Sequence, residues 1–331
     1  MSMKVLVTGG AGYLGSHLVR LLLAAQHDVV VLDNFLYGSS GLARYRDERK
    51  LRIVEGDICT ISDVVKAVKG CAAVIALAAI VGDPACNLNE AETLNSNFEA
   101  TKVLVEICND HQVRKLFFAS SCSVYGAAQD LVLNEGSLLN PVSLYARTRI
   151  MSEKVILGNP NDDMMSTIFR MSTLYGWSDR MRFDLVVNFM TARGLTEGAC
   201  DVYGGDQWRP FVHVQDAAQA YVTALRLNPK LLAREIYNIG FNDQNYRIQQ
   251  IAESVKAHLP HLRINTHPNV QDRRDYRISF DKFNDVFGLK PRFDLASGIA
   301  EIAEAIEKHG TNVNQDIFYN VKYLYRTGQD A

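Results

Sequence analysis

The chain has 331 residues, of which 47% are hydrophobic and 22% charged, so it holds enough apolar material for one large domain or two smaller ones. Its 35 basic and 37 acidic residues give a net charge of −2. With no long block of like charge, this balance argues against a nucleic-acid partner. No segment reaches the roughly 18 consecutive apolar residues of a membrane span, so we expect no membrane partner either.

The N-terminal sequence and the cysteines bear on the cellular compartment of the protein. An apolar strand begins almost at once, at Met3-Lys4-Val5, and leaves no room for a signal peptide. The six cysteines form no C-x-x-C pair and show no spacing typical of zinc ligands. We therefore expect reduced thiols in a cytoplasmic protein without a metal site.

The first half alternates short apolar runs with helical patterns, which predicts an α/β protein with a doubly wound parallel sheet of the Rossmann type. The predicted strands are Lys4–Thr8, Asp28–Asp33, Arg52–Glu55, Ala73–Ala76, Lys115–Ser120 and Thr167–Met171. The predicted helices are Leu14–Ala25, Asp63–Lys69, Asn97–His111 and Leu144–Leu157.

After Met171 this rhythm breaks, and a smaller C-terminal α/β substrate lobe is predicted. Its predicted elements are the helices Asp179–Gly194 and Tyr246–His258 and the strands Ile236–Gly240 and Arg263–Thr266. We expect residues 1–171 to form the nucleotide-binding domain, with 212–240 returning to it. Residues 172–211 and 241–331 would then form the substrate lobe.

A glycine-rich turn joins the first strand to the first helix, with the sequence Thr8-Gly9-Gly10-Ala11-Gly12-Tyr13-Leu14-Gly15. Residues without a Cβ let the backbone approach a pyrophosphate, and the helix N-terminus presents amide groups to it. The residues predicted to contact a dinucleotide here are Gly9, Gly12, Tyr13, Leu14 and Gly15. The alternative is a turn with a purely structural role.

Asp33, at the end of the second predicted strand, selects among dinucleotides. A carboxylate at this place accepts hydrogen bonds from the ribose hydroxyls and repels a 2′-phosphate, so NAD is predicted as the cofactor rather than NADP. Further cofactor contacts are expected from Asn34, Asp57, Ile58, Leu77, Ala78, Ala79 and Asn97.

A polar loop with Ser121 follows the fifth predicted strand, and the next helix carries Tyr145 and Arg149. The i, i+4 spacing places these two on one helix face, so the guanidinium would lie near the phenol and the cofactor ribose, where a cation stabilises a phenolate. Tyr145 is predicted to take a proton from a substrate hydroxyl, with Ser121 holding the same oxygen. The same spacing recurs at Tyr45 and Arg49 on a predicted solvent-exposed helix. The prediction for Tyr145 therefore depends on its place after the fifth strand and the Ser121 loop, and not on the spacing alone.

Together these motifs resemble the extended short-chain dehydrogenase/reductases of the NAD-dependent epimerase/dehydratase family. The resemblance is carried by Thr8–Gly15, Asp33, Leu77–Ala79, Ser120–Gly126, Tyr145–Arg149 and Arg209–Asp216. The glycine turn is similar to that of UDP-galactose 4-epimerases. The segment Ser178–Leu185 resembles a bacterial subgroup acting at C4 of nucleotide sugars, including GDP-heptose C4 dehydrogenases.

The resemblance implies an NAD-dependent enzyme that oxidises a hydroxyl of a nucleotide-diphosphate sugar, at C4, through a 4-keto intermediate. It also implies a homodimer formed through the helices near Asn97–His111 and Leu144–Leu157. It further suggests that Arg209, Arg273 and Arg274 hold the substrate diphosphate, since a planar guanidinium suits phosphate. Thr173 and Asn188 are candidate contacts to the sugar or nucleotide.

Two departures from the family pattern bear on activity. The chain has Arg149 where the family usually has Lys, and Ala76 where it usually has His. Arginine keeps the charge but is not a usable proton relay. A non-catalytic, NAD-binding regulatory protein is therefore an alternative hypothesis.

The residues after Ser121 bear on the type of reaction. Family members that eliminate water carry an Asp-Glu pair at the positions of Cys122 and Ser123. The absence of both carboxylates argues against a 4,6-dehydratase. A 4,6-dehydratase or a 4-keto reductase is kept as an alternative hypothesis. Cys122 is a further candidate acid or base.

Overall fold

The computed structural model describes residues 2–268 and 274–329, with side chains for all of these except 128–131 and 326–329. Its strands are β1 (Lys4–Thr8), β2 (Asp28–Asp33), β3 (Leu51–Glu55), β4 (Ala73–Ala76), β5 (Lys115–Ser121), β6 (Ala127–Leu133), β7 (Met165–Met171), β8 (Thr173–Tyr175), β9 (Ala199–Tyr203), β10 (Trp208–His213), β11 (Glu235–Ile239), β12 (Asn245–Arg247), β13 (Arg263–His267) and β14 (Asp275–Ile278).

The α-helices in the same part of the chain are α1 (Tyr13–Ala24), α2 (Ile61–Val68), α3 (Asp83–Cys86), α4 (Glu90–Leu94), α5 (Ala100–Asp110), α6 (Leu144–Leu157), α7 (Val186–Glu197), α8 (Val214–Ala224), α9 (Ile248–His258), α10 (Asp281–Phe287), α11 (Leu295–His309) and α12 (Asn320–Gln329). None of these helices is both long and apolar enough to cross a membrane.

Seven strands form one parallel sheet in the order β11-β7-β5-β4-β1-β2-β3. Both of its faces are buried: Leu6 belongs to one hydrophobic cluster, whereas its neighbours Val5 and Val7 belong to the other. Burial on both sides explains why the strands read as continuous apolar runs instead of alternating ones. The predicted doubly wound Rossmann-type sheet is confirmed.

The strand order fixes where a ligand can bind. Strand β1 has β2 on one side and β4 on the other. Strands β2 and β3 are added on one side of β1 and the later strands on the other, so the strand order reverses between β1 and β4. A crevice opens at such a point, outside the carboxyl ends of the strands. The residues that follow β1, β2 and β4 therefore meet around one cleft.

Three smaller sheets lie outside the main one: β12-β10-β8, β13-β9 and β14-β6. They account for strands that local patterning did not predict, among them β6, β8 and β10. Strand β11, from the segment 212–240, pairs with β7 at the edge of the main sheet, and α8 of the same segment packs against α1.

One predicted helix begins much later than expected. Helix α7 starts at Val186, not at Asp179. The preceding residues make tertiary contacts: the amide of Phe183 donates to the carbonyl of Phe318, and Arg182 pairs with Asp184 at 2.8 Å. An i, i+2 pair does not share a helix face, so these contacts require a non-helical segment.

Candidate active site

The glycine turn is built by close backbone packing. Gly9 has a φ of 72°, and a Cβ placed on it would lie 2.9 Å from the backbone nitrogen of Ala78. A Cβ on Gly15 would lie 2.1 Å from the Gly9 carbonyl oxygen. Neither position admits a side chain, because real Cβ atoms do not approach backbone so closely. The ends of β1 and β4 are thereby held together at the cleft.

Gly12 has a different role in the same turn. A Cβ there would meet only the Gly9 carbonyl oxygen, at 3.2 Å. Gly12 is also the N-cap of α1, and no side chain caps that helix end. The first-turn amides therefore face the cleft as donors for an anionic group.

Asp33 lies at the carboxyl end of β2 and lines the cleft. Its Oδ2 accepts from the Ala11 amide at 2.9 Å and its Oδ1 from the Phe35 amide at 2.9 Å. Burial raises the pKa of Asp33 above its ordinary value, whereas these two amides act to lower it. A carboxylate has about four lone-pair sites, so acceptor capacity is left for ribose hydroxyls.

Ser121, Tyr145 and Arg149 all line this same cleft. The Ser121 hydroxyl accepts from the Ser123 amide at 3.2 Å, which fixes the start of the loop after β5. The Arg149 Cζ lies 5.0 Å from the centre of the Tyr145 ring and 5.4 Å from that of Phe118. The predicted cation is therefore packed directly against the predicted proton acceptor.

The guanidinium of Arg149 is only 2% exposed and incompletely bonded. Its Nη1 donates to the carbonyl of Ala119 at 3.2 Å, whereas Nε and Nη2 have no hydrogen-bond partner. Unsatisfied buried donors on a charged group are unfavourable unless a ligand completes them. Two nitrogens of Arg149 thus keep hydrogen-bonding capacity for ligand oxygens.

A buried ion pair supports the Ser121 loop from behind. Glu153 and Arg170 are 2.7 Å apart, with side chains 4% and 3% exposed. The hydroxyl of Ser120, next to Ser121, donates to Glu153, and Arg170 donates to the Tyr125 hydroxyl at 2.9 Å. The pair ties β5, α6 and β7 together beneath the loop. Neither Glu153 nor Arg170 was predicted from the sequence as part of the site.

Most of the predicted substrate residues lie at the cleft. Thr173, Arg209 and Arg274 line the cleft, and Arg274 lies 3.3 Å from Asp83. Arg209 donates to its neighbouring Trp208 carbonyl at 2.7 Å. Arg273 lies outside the described residues.

Asn188 was expected to contact the sugar or nucleotide, and the structure corrects this. Its side chain is fully buried, accepting from the Gly176 amide at 3.0 Å and donating to the Tyr13 hydroxyl and the Arg182 carbonyl. It does not line the cleft, because its side chain is buried among these partners. Asn188 holds the loop after β8 in place.

Two other predicted residues are also directed away from the cleft. Asn97 exchanges two hydrogen bonds of 2.9 Å with the backbone of Ile80, so it anchors the loop after β4 and does not line the cleft. Cys122 is 1% exposed and its thiol donates to the Arg170 carbonyl at 3.3 Å. Burial raises the pKa of Cys122, so the structure does not place it as an acid or base.

The remaining predicted cofactor residues line the cleft: Gly9, Gly12, Tyr13, Leu14, Gly15, Asp33, Asn34, Asp57, Ile58, Leu77, Ala78, Ala79, Tyr145 and Arg149. Tyr13 does so with its hydroxyl committed to the Gly176 carbonyl at 2.6 Å. Within residues 2–268 and 274–329, no group of three or more His, Cys, Asp or Glu is placed to hold a metal ion.

Tyr37, Arg180 and Asn320 are among the cleft residues that were not predicted from the sequence. Arg180 lies in the segment wrongly predicted as helix, and Asn320 begins the C-terminal helix α12. No local pattern relates them to the glycine turn, since contacts between distant segments bring them there.

The chain is similar in sequence to proteins of one known family. Residues 5–240 match the model of the family described as "NAD dependent epimerase/dehydratase family". A UDP-glucose 4-epimerase from Lactobacillus helveticus is 29% identical over 77% of this chain and 81% of its own length.

Two solved structures are similar over nearly the whole chain. The UDP-glucuronic acid 4-epimerase from Bacillus cereus, in complex with UDP-glucuronic acid and NAD, has a TM-score of 0.84 and 25% identity over 93% of this chain and 100% of that one. DesIV, a dTDP-glucose 4,6-dehydratase from Streptomyces venezuelae with NAD bound, has a TM-score of 0.82 and 25% identity over 92% and 97%.

Proposed function

The chain belongs to the NAD-dependent epimerase/dehydratase family, and from that premise we propose that it is an NAD-dependent enzyme that oxidises a nucleotide-sugar hydroxyl, at C4, through a 4-keto intermediate. One observation carries the proposal: the glycine turn, Asp33, Ser121, Tyr145 and Arg149 line a single cleft. The hydride can then return to either face of the sugar in an epimerase, or stay on the cofactor in a dehydrogenase.

The residues present fit NAD as the cofactor. The close packing at Gly9 and Gly15 leaves a side-chain-free turn for the pyrophosphate, and Asp33 keeps acceptor capacity for the adenosine ribose. The unsatisfied Nε and Nη2 of Arg149 suit hydroxyls of the other ribose. When bound, NAD supplies a hydride acceptor next to the sugar carbon.

Tyr145 would take the proton from the sugar hydroxyl, because its phenol lies in the cleft against a fixed cation. Ser121 would hold the same oxygen, with its own hydroxyl oriented by the Ser123 amide. Arg149 would support the phenolate electrostatically without relaying the proton itself.

A dehydratase is not favoured by the distribution of carboxylates. The acidic residues among the described cleft residues are Asp33, Asp57, Asp83 and Glu92, which follow β2, β3 and β4. None of them lies in the loop after Ser121, on the Ser121 side of the cleft, where family members that eliminate water carry an Asp-Glu pair and this chain has Cys122 and Ser123. Proton removal at C5 and loss of water would need an acid and a base on that side.

The proposal also covers the roles of the two lobes, the oligomeric state and the compartment. Residues 1–171 with 212–240 would bind NAD, while 172–211 and 241–331 would bind the nucleotide sugar, with Arg209 and Arg274 near its diphosphate and Thr173 near the sugar. We further propose a homodimer formed through α5 and α6, and a role in carbohydrate biosynthesis in the cytoplasm. The six free thiols support a reducing compartment.

The test incubates the purified protein and NAD with UDP-, GDP-, dTDP- and CDP-sugars and follows nicotinamide reduction and sugar products together. A keto sugar with accumulating NADH indicates a dehydrogenase, and a new epimer without net reduction indicates an epimerase. The substitution Tyr145→Phe should lower turnover by about 100- to 10,000-fold, the usual contribution of a general base. Turnover that survives this substitution unchanged, or NAD bound with no turnover of any sugar, contradicts the proposal.

A further inference from the structure

Arg180 is a buried cation without a carboxylate partner among the described residues. It is 4% exposed, its Nη2 donates to Asn320 Oδ1 at 2.7 Å, and its Nε has no hydrogen-bond partner. The nearby carboxylate of Asp184 is already engaged by Arg182 through bonds of 2.8 and 3.0 Å. Asp33 and Asp184 act on Arg180 only from beyond ion-pair distance, so no carboxylate of the described residues pairs with it directly.

The segment before Arg180 is fastened to the first turn of α1. The Tyr13 hydroxyl donates to the Gly176 carbonyl at 2.6 Å, and the Ser178 hydroxyl donates to the Tyr13 carbonyl at 3.0 Å. Ser178 also lies 3.0 Å from the hydroxyl of Ser16. These bonds hold the loop after β8 against the helix end that follows the glycine turn.

The contacts of Arg180 lie on both sides of that turn. Its Cζ is 4.2 Å from the centre of the Tyr37 ring, and Tyr37 follows β2. Its partner Asn320 donates to the carbonyl of Val81, which follows β4, at 3.4 Å. Since β2 and β4 flank β1, Arg180 and Asn320 connect the two loops on either side of the turn after β1.

The charges here favour an anionic ligand. Burial, and then the neighbouring charge of Arg182, lower the pKa of Arg180 to about 10, so it stays protonated near neutral pH. Burial raises the pKa of Tyr37 to about 12, so its hydroxyl is a donor, and this hydroxyl also lacks a hydrogen-bond partner. Two unsatisfied donors, one of them cationic, thus line the cleft together.

We propose that Arg180 and the Tyr37 hydroxyl form a second pyrophosphate-binding element over the glycine turn, with Asn320 of α12 positioning the guanidinium. This inference rests on the proposed binding of NAD in the cleft. It makes the C-terminal helix part of the cofactor site, although that helix lies far in sequence from the glycine turn.

The test compares two probes that differ in the pyrophosphate. Binding of ADP-ribose and of adenosine to the full-length protein, stripped of bound nucleotide, is measured by calorimetry. Arg180→Met should weaken ADP-ribose binding by about 10- to 100-fold, the usual range for hydrogen bonds to a charged group, and leave adenosine binding unchanged. Tyr37→Phe and Asn320→Ala should weaken ADP-ribose binding less, again without affecting adenosine.

Arg44→Gln is the matched control. Arg44 pairs with Asp179, one residue before Arg180, at 2.6 Å, and its side chain is 59% exposed. The substitution removes one positive charge and loosens the same loop without reaching the cleft. It should leave the binding of both probes unchanged.

Three results would overturn the inference. Equal weakening of both probes by Arg180→Met would show a structural role, and no weakening of either would show no role. Weakened binding of uridine diphosphate with unchanged ADP-ribose binding would assign the cation to the substrate. If the unmodified protein binds neither ADP-ribose nor NAD, the proposed function fails as well, whereas normal binding with a silent Arg180→Met removes only this inference.

Discussion

Arg170 and Arg180 are both almost fully buried, yet they lie in opposite electrostatic surroundings. Arg170, in the core beneath the Ser121 loop, makes a two-bond pair with Glu153. Burial alone would lower the pKa of Arg170, but Glu153 raises it above the ordinary value. Arg180, in the cleft, has no carboxylate within ion-pair distance among the described residues, and burial lowers its pKa.

The difference separates a structural charge from a ligand-binding charge. A buried ion is unfavourable unless a counter-ion compensates it. In the core the protein supplies the counter-ion, so Arg170 orders the loop that carries Ser121. In the cleft no carboxylate of the described residues pairs directly with Arg180, which supports the proposal that a ligand completes the site. Arg149, equally buried and incompletely bonded, belongs with Arg180.

The largest expected effect is on the paired arginine. Glu153→Leu should lower the free energy of unfolding by about 3–5 kcal/mol, because it leaves Arg170 buried and uncompensated. Urea denaturation measures the change. The double variant Glu153→Leu/Arg170→Met should recover most of this loss, because it removes the orphaned charge. A single variant as stable as the native protein would show that the pair is not the source of order in this region.

Arg149 tests the cleft nearer to the chemistry. Arg149→Met should lower turnover by about 100-fold, a typical result of removing electrostatic support from a reacting group. Arg149→Lys keeps the charge next to Tyr145 and should retain more activity than Arg149→Met, with normal folding in both. Steady-state kinetics with the sugar identified in the panel gives the comparison. Equal turnover in all three proteins would place Arg149 outside the reaction.

The smallest expected effect is that of Arg180→Met on the free energy of unfolding, and its sign is opposite to that of Glu153→Leu. In the nucleotide-free protein, Arg180→Met removes an uncompensated buried charge and should raise the free energy of unfolding by up to about 1 kcal/mol. The same variant should gain less stability than the native protein when NAD is added, since a more weakly bound ligand stabilises the native state less. A marked loss of stability without NAD would mean that Arg180 serves the fold.

Much of the cofactor region could be predicted from local sequence. A buried parallel strand, a glycine turn and a helix follow one another directly, so the residue types at Gly9, Gly15 and Asp33 report their own backbone and ligand requirements. Tyr145 and Arg149 were predictable because helix geometry fixes their common face. These residues all line the cleft.

Predictions failed where a polar residue could bond to several partners. Asn97, Asn188 and Cys122 have side chains suited to a ligand, yet each is committed to backbone groups from other segments. Residue type alone does not distinguish a ligand contact from such a bond. The helix expected from Asp179 failed for a related reason, since contacts with α1 and with Phe318 outweigh its helical pattern.

The sequence by itself determined the parallel sheet, the glycine turn and the tyrosine–arginine pair, because each depends on neighbouring residues and on the geometry of one element. Only the tertiary structure decided which buried charges are compensated. Glu153 meets Arg170 across two elements, and Asn320 reaches Arg180 from the far end of the chain. Whether a buried cation serves the core or a ligand depends on partners that approach through space, and local patterns do not record them.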